Sequence, residues 1–125
     1  MKKIAIFENQ YHQVKIQFEV ANKIFFNDML EYHQFNSSQD YTPISNISEF
    51  NLVIIDISLS SNSDKDGFDL IEEILIQNNP PKILILTGNS NIKENLKKRN
   101  LPDLPILMKP IDPIDIKDNL SKLLV

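Results

Sequence analysis

Four short, mostly apolar runs punctuate the chain: Ile4-Ala5-Ile6-Phe7, Leu52-Val53-Ile54-Ile55, Lys82-Ile83-Leu84-Ile85-Leu86 and Leu104-Pro105-Ile106-Leu107-Met108. Each is followed closely by polar residues or a turn signal. Such runs suit strands buried on both faces, the pattern of a parallel sheet covered by helices on each side. Periodicity by itself does not separate them from buried helix turns, but their lengths favour strand. Between them the spacing becomes helical. Phe68, Ile71, Ile74 and Leu75 recur at threes and fours until Asn78-Asn79-Pro80-Pro81 stops the pattern. Ile114, Leu120, Leu123 and Leu124 follow Asp112-Pro113, a cap and first-turn pair. Ile92, Leu96 and Leu101 predict a short helix, and Val14, Phe18, Ala21, Phe25 and Leu30 a longer one near the N-terminus.

The stretch from Glu31 to Asn51 is the least legible. Tyr32 to Phe35 reads as a weak strand near an edge, residues 36–40 as a loop, and Ile44 to Phe50 as a short helix or irregular connector; the alternative is that this stretch holds no second strand. The alternation of β and α about five times predicts an α/β fold with right-handed crossovers, a doubly wound five-stranded parallel sheet formed by a single domain over residues 1–125.

Composition narrows the chemistry. The 125 residues suit one domain. With no cysteine and only His12 and His33, there is no disulfide framework, thiol nucleophile or Cys-based metal site, and little for a Ser-His-Asp triad. The two glycines, Gly67 and Gly88, are too few and too far apart for a GxGxxG or GxxxxGK phosphate loop. A net charge of −4 argues against binding nucleic acid over the whole surface. The apolar run after Met1-Lys2-Lys3 is too short for a signal peptide or membrane span, so the expected setting is cytoplasmic.

In an open parallel sheet, ligands bind outside the carboxyl ends of the strands. Glu8 and Asn9 follow the first run, Asp56 ends the third strand, Thr87-Gly88 follows the fourth, and Lys109-Pro110 follows the fifth. Taken singly, each has a commoner reading: a strand-end acid, a turn threonine, a solvated lysine. Together they bring two carboxylates, an amide, a hydroxyl and a cation to one edge. His12 and His33 read as surface groups, and Phe7, Phe25 and Phe26 as core.

On these residues the chain resembles the receiver domain of bacterial response regulators, the flavodoxin-like (βα)5 fold of two-component signalling, and chemotaxis-type single-domain regulators in size. The resemblance covers essentially the whole chain. It implies that Asp56 accepts a phosphoryl group from a histidine kinase or phosphotransfer protein, with Thr87 and Lys109 assisting. It further implies that Glu8, Asp56 and the Ser58 backbone carbonyl hold magnesium. Asp66-Gly67, followed by Phe68 and Leu70, is similar to the family's Asp-Gly turn opening the third helix. A carboxylate can attack phosphorus in line once the phosphoryl oxygens are neutralised, and Gly88 would leave space beside the acceptor.

Three features depart from the family. The acidic pair is Glu8-Asn9, one negative charge fewer, which predicts weaker magnesium binding. The usual aromatic three positions before the lysine is Ile106. The segment from Asp56 to Gly67 spans eleven positions and is serine-rich, predicting a mobile loop that covers or reshapes the site. The expected function is therefore a stand-alone phosphoacceptor in a phosphorelay, not a classical enzyme, acting through contact with a protein target and with neither nucleic acid nor membrane. No further module is expected, because Val125 closes the last helix. The alternative is a degenerate receiver that binds partners without phosphorylation; an aspartyl-phosphate phosphatase is disfavoured because no second acid follows Asp56 two residues on. The basic cluster Lys93, Lys97, Lys98 and Arg99 reads either as a solvated helix face or as a docking patch. Nothing in the sequence bears on oligomeric state or on the identity of kinase and target.

Overall fold

The structure, a computed structural model, describes residues 1–59 and 62–125. Its strands are β1 (Lys2–Phe7), β2 (Leu30–Phe35), β3 (Leu52–Asp56), β4 (Lys82–Thr87) and β5 (Ile106–Met108), all parallel, in the order β2-β1-β3-β4-β5. Its α-helices are α1 (Lys15–Phe25), α2 (Gly67–Leu75), α3 (Ile92–Lys98) and α4 (Pro113–Leu123). The order is that of the flavodoxin-like doubly wound sheet, with the strand order switching between β1 and β3.

Residue parity explains why the central strands are apolar throughout. Ile4, Ile6, Leu52, Ile54, Leu84 and Leu86 pack with Phe18 and Ala21 of α1 and Ile116 and Leu120 of α4. Ala5, Phe7, Val53, Ile55, Ile83 and Ile85 pack on the other face with Leu70, Ile71 and Ile74 of α2 and Ile92 and Leu96 of α3. Both faces are covered, so neither parity can be polar. Among the described residues, no helix is long and apolar enough to cross a membrane.

Several boundaries differ from expectation. The first helix stops at Phe25 because Asn27 and Asp28 both take left-handed φ values, 52° and 57°, which these side chains tolerate. Leu30 therefore opens β2 instead of continuing the helix, and Asn22 ties that strand down through Leu30 N–H (3.1 Å) and Leu30 C=O (3.0 Å). Phe25 is exposed at 37 %, with the Lys117 ammonium 5.2 Å from its ring centroid, so it is not core. β2 exists and lies at the sheet edge, as expected, but starts two residues earlier. β5 is shorter than expected, three residues.

The second crossover contains short 3-10 turns at Ser38–Asp40 and Ile44–Glu49 where the other crossovers have an α-helix. The prolyl ring of Pro43 disfavours helix at the residue before it, and the serine, asparagine and aspartate around it satisfy backbone groups locally. Aromatic packing covers the sheet there. Phe35 stacks on Phe7 at 5.1 Å and meets Tyr41 edge-on at 5.2 Å, while Phe50 lies 5.5 Å from Tyr41 and 5.4 Å from a half-buried His33. His33 thus packs against Phe50 while its side chain stays partly exposed beside Glu31, and His12 is exposed, so both are surface groups as expected.

The described part of the serine-rich segment is hydrogen-bonded to the turn that follows β2. Ser63 Oγ accepts from Ser38 N–H (2.9 Å), Lys65 N–H donates to Ser38 Oγ (3.0 Å), Asp64 N–H to Gln39 Oε1 (2.8 Å) and Gln39 Nε2 to the Asn62 carbonyl (2.7 Å). The segment is fastened to the β2–β3 connection. Ser60 and Ser61, which the expectation of a mobile insertion also included, lie outside the described residues.

Two contacts fix where α2 begins. Asp66 caps the helix, accepting from Asp69 N–H at 2.8 Å, and Gly67 N–H donates to the Ile57 carbonyl at 3.2 Å. A Cβ on Gly67 would stand 2.5 Å from Ile57 Cα and 2.7 Å from the Asp56 carbonyl oxygen, so only glycine allows the helix start to abut the backbone at the end of β3. A Cβ on Gly88 would stand 4.0 Å from Lys109 Cβ, an ordinary contact, so no packing neighbour within the protein requires glycine there. From α3, Arg99 reaches Asp69, Glu72 (3.3 Å) and Asp66 (3.9 Å), with its guanidinium 4.9 Å from the Phe68 ring centroid.

Gly67→Ala is expected to lower stability by about 2–3 kcal/mol, because backbone must move to admit the methyl, and Gly88→Ala to change it by less than about 1 kcal/mol; urea unfolding of the two variants checks the contrast. Arg99→Ala should cost about 1 kcal/mol at low ionic strength, since exposed ion pairs are individually weak. The same unfolding in about 1 M salt should show a smaller loss, because screening already weakens the pairs there.

Candidate functional site

The strand ends deliver the expected residues, and three of them meet. Glu8, at the end of β1, is 1 % exposed and Asp56, the last residue of β3, is 4 % exposed. Pairing of Phe7 with Ile55 sets these two ends side by side. Lys109, just beyond β5, places Nζ 2.9 Å from Glu8 Oε2 and 3.2 Å from Asp56 Oδ2, donating to both. Its backbone N–H donates to the Thr87 carbonyl at 2.8 Å, which seats the lysine against the end of β4.

The remaining hydrogen bonds orient the carboxylates. Gln10 N–H donates to Glu8 Oε1 at 2.9 Å and Ser58 N–H to Asp56 Oδ1 at 2.9 Å. The local cause is the tight turn after each strand, which folds the backbone back onto the acid two residues earlier. Ser58 itself is exposed. Thr87 is buried at 2 % and follows Leu86, the register partner of Asp56. Its hydroxyl oxygen accepts from Asn89 N–H at 3.0 Å, leaving the hydroxyl proton to donate elsewhere. Asn9 is half-buried, beside Glu8.

Two buried carboxylates share one ammonium, so with both acids ionised the cluster carries a net negative charge. Burial raises the Glu8 pKa, and the adjacent Asp56 raises it further, against the lowering effects of Lys109 and the Gln10 N–H. Burial works against the Lys109 charge, but its hydrogen bonds and attraction to Glu8 and Asp56 outweigh that and hold its pKa above the ordinary lysine value. Among the described residues no group of three or more His, Asp or Glu side chains is placed to hold a metal ion. The available donors are the Glu8–Asp56 pair and nearby backbone carbonyls.

Sequence reasoning missed one contributor. Gln34, near the end of β2, donates from Nε2 to the Glu8 carbonyl at 2.9 Å, so the edge strand also supports the site. Its position at the end of the weakest strand pattern was the available signal. Ile106, at the place of the expected aromatic, is half-buried and packs with the cluster on the α2 and α3 face. The basic cluster is partly spent on internal pairs: Lys93 meets Asp103 at 2.6 Å and Arg99 meets the acids of α2.

No protein-family model matches the chain, and no curated protein is similar to it in sequence. Solved structures are similar in fold. A response regulator receiver domain protein (CheY-like) from Methanospirillum hungatei superposes with a TM-score of 0.73 at 22% identity, over 99% of this chain and 94% of that one. The Vibrio cholerae chemotaxis protein CheY4 gives 0.73 at 16% identity over 99% of each chain. The Thermotoga maritima response regulator DrrB, an OmpR/PhoB homolog, gives 0.75 at 18% identity over 99% of this chain but 52% of its own. The fold is that of response regulator receiver domains: five parallel strands in the order 2-1-3-4-5 with helices on both faces.

Proposed function

We propose that the chain acts as a signalling receiver that takes a phosphoryl group on Asp56. The observation that carries this reading is the buried Glu8–Lys109–Asp56 cluster at the carboxyl edge of the sheet, with Thr87 at the next strand end. In this reading an Asp56 carboxylate oxygen forms the new bond to phosphorus as the bond from phosphorus to the donor's imidazole nitrogen breaks, the electron pair leaving with the imidazole. Lys109 Nζ, within reach of both carboxylates, is placed to move onto a phosphoryl oxygen, and the Thr87 hydroxyl to donate to another. The donor is a histidine kinase or phosphotransfer protein, and the output is contact with a protein target, in a cytoplasmic setting.

The residues fit a magnesium ion: two converging carboxylates against a single ammonium leave negative charge uncompensated, and magnesium accepts one or two carboxylates with water completing its shell. Glu8, Asp56 and the Ser58 carbonyl would hold it, and when bound it would neutralise phosphoryl oxygens. Asn9 supplies no charge, so the affinity is expected to be low.

A second reading, a receiver-like module that binds its partner without phosphorylation, is favoured by the same Asn9 and by Ile106 in place of the aromatic. Intact-mass measurement after incubation with magnesium and acetyl phosphate separates the two. One added phosphoryl group on the native chain and none on Asp56→Asn supports phosphorylation; no addition, or equal addition to both, supports the second reading. Asn9→Asp should tighten magnesium binding by about tenfold, equivalent to roughly 1.4 kcal/mol of added attraction, as read by isothermal titration. Unchanged affinity would show that position 9 does not face the ion.

A further inference from the structure

The outer surface of α1 carries an apolar ridge that the fold leaves uncovered. Ile16, Val20 and Ile24 follow one another at intervals of four, so they line up along one side of the helix. Ile16 is 68 % exposed and Ile24 is 64 % exposed, with Val20 half-buried between them. Phe25 does not belong to this ridge, because Lys117 of α4 lies over it. One position back at each turn runs a second row, Lys15, Glu19 and Lys23, whose signs alternate. A shallow depression of about 360 Å³ follows the two rows, lined by Ile16, Glu19, Val20, Lys23 and Asp28. Lys15 and Glu19 are 3.8 Å apart and more than half exposed, a loose pair that leaves both charges available.

We propose that this ridge is the interface of a symmetric homodimer, in which the α1 helices of two copies pack antiparallel about a two-fold axis passing near position 21. The alternating signs select the occupant. A partner of one charge would be repelled by part of the row, whereas a second copy running the opposite way presents the complement. An axis midway between Glu19 and Lys23 sets each glutamate against the lysine of the other copy, twice by symmetry. It also brings Lys15 level with position 27 of the second copy, beside Asp28.

The same axis satisfies the apolar row. Val20 falls level with position 22 of the second copy, halfway between its Val20 and Ile24, and Ile24 falls halfway between its Ile16 and Val20. That stagger of two residues, about 3 Å along a helix rising 1.5 Å per residue, seats each ridge in the other's groove. One register therefore meets both the charge and the packing requirement. The inference is independent of phosphorylation, since none of these residues belongs to the acidic cluster.

Analytical ultracentrifugation of the full chain tests it. The mass is expected to rise from monomer towards dimer between about 1 and about 100 µM, the range suited to a small helix-on-helix interface. Ile16→Asp and Ile24→Asp should each abolish the rise. Glu19→Lys and Lys23→Glu should each be monomeric by themselves and form a one-to-one dimer when mixed, because their altered charges then face each other. Far-UV circular dichroism confirms folding, which these exposed positions should not disturb. A native chain that stays monomeric at the highest concentration, a dimer that survives Ile16→Asp, or charge variants that fail to pair on mixing would each overturn the proposal.

Discussion

The Lys109 ammonium, lodged between two carboxylates that water scarcely reaches, constrains the rest of the molecule. Glu8 and Asp56 are adjacent and nearly fully buried, and setting two acids side by side out of water is costly unless a cation sits in contact with them. That cation arrives from a residue 101 positions after one acid and 53 after the other. For the three to meet, the ends of β1, β3 and β5 must terminate at one level. The parallel register does this: β1 pairs directly with β3, β3 with β4, and β4 with β5. The lysine backbone then closes on Thr87 at the end of β4.

Around that edge the connections do different physical work. The β3–α2 connection is pinned by a glycine so close to the β3 backbone that no other residue fits without displacement. Its described outer part is fastened to the β2–β3 connection by serine and glutamine hydrogen bonds. Arg99 joins α3 to the first turns of α2, so the helix that starts beside the end of β3 is held to its neighbour by charge and by stacking on Phe68. This resolves an oddity of the charge distribution. The five acids and one base of residues 64–73 and the six bases and two acids of residues 82–109 are partly two sides of one internal contact.

The central strands were legible because burial on both faces leaves no alternative to continuous apolar runs. The cap of the last helix was legible because Asp112 is a local signal read within four residues, whereas the start of α2 at Asp66-Gly67 was read only through the family resemblance. Boundaries set by backbone conformation were less so. The apolar spacing from Val14 to Leu30 runs through a chain reversal, and only the left-handed Asn27 and Asp28 reveal that Leu30 belongs to a strand. The second crossover was illegible for a related reason. Its cover is an aromatic cluster assembled from β1, β2 and the connection itself, which has no periodicity to read.

By itself the sequence determined the alternation of strand and helix, the sheet class, and which polar residues stand at strand ends. These follow from local patterns of burial and from the rule that parallel strands share a carboxyl edge. Only the tertiary structure decided that Lys109 bridges Glu8 and Asp56, that Gln34 supports them from the edge strand, and that the backbone at the end of β3 requires glycine at position 67. It also spent Arg99 on α2 and left Ile16 and Ile24 of α1 uncovered. Distances between residues far apart in the chain depend on strand order and register, and those are properties of the assembled sheet that no single segment encodes.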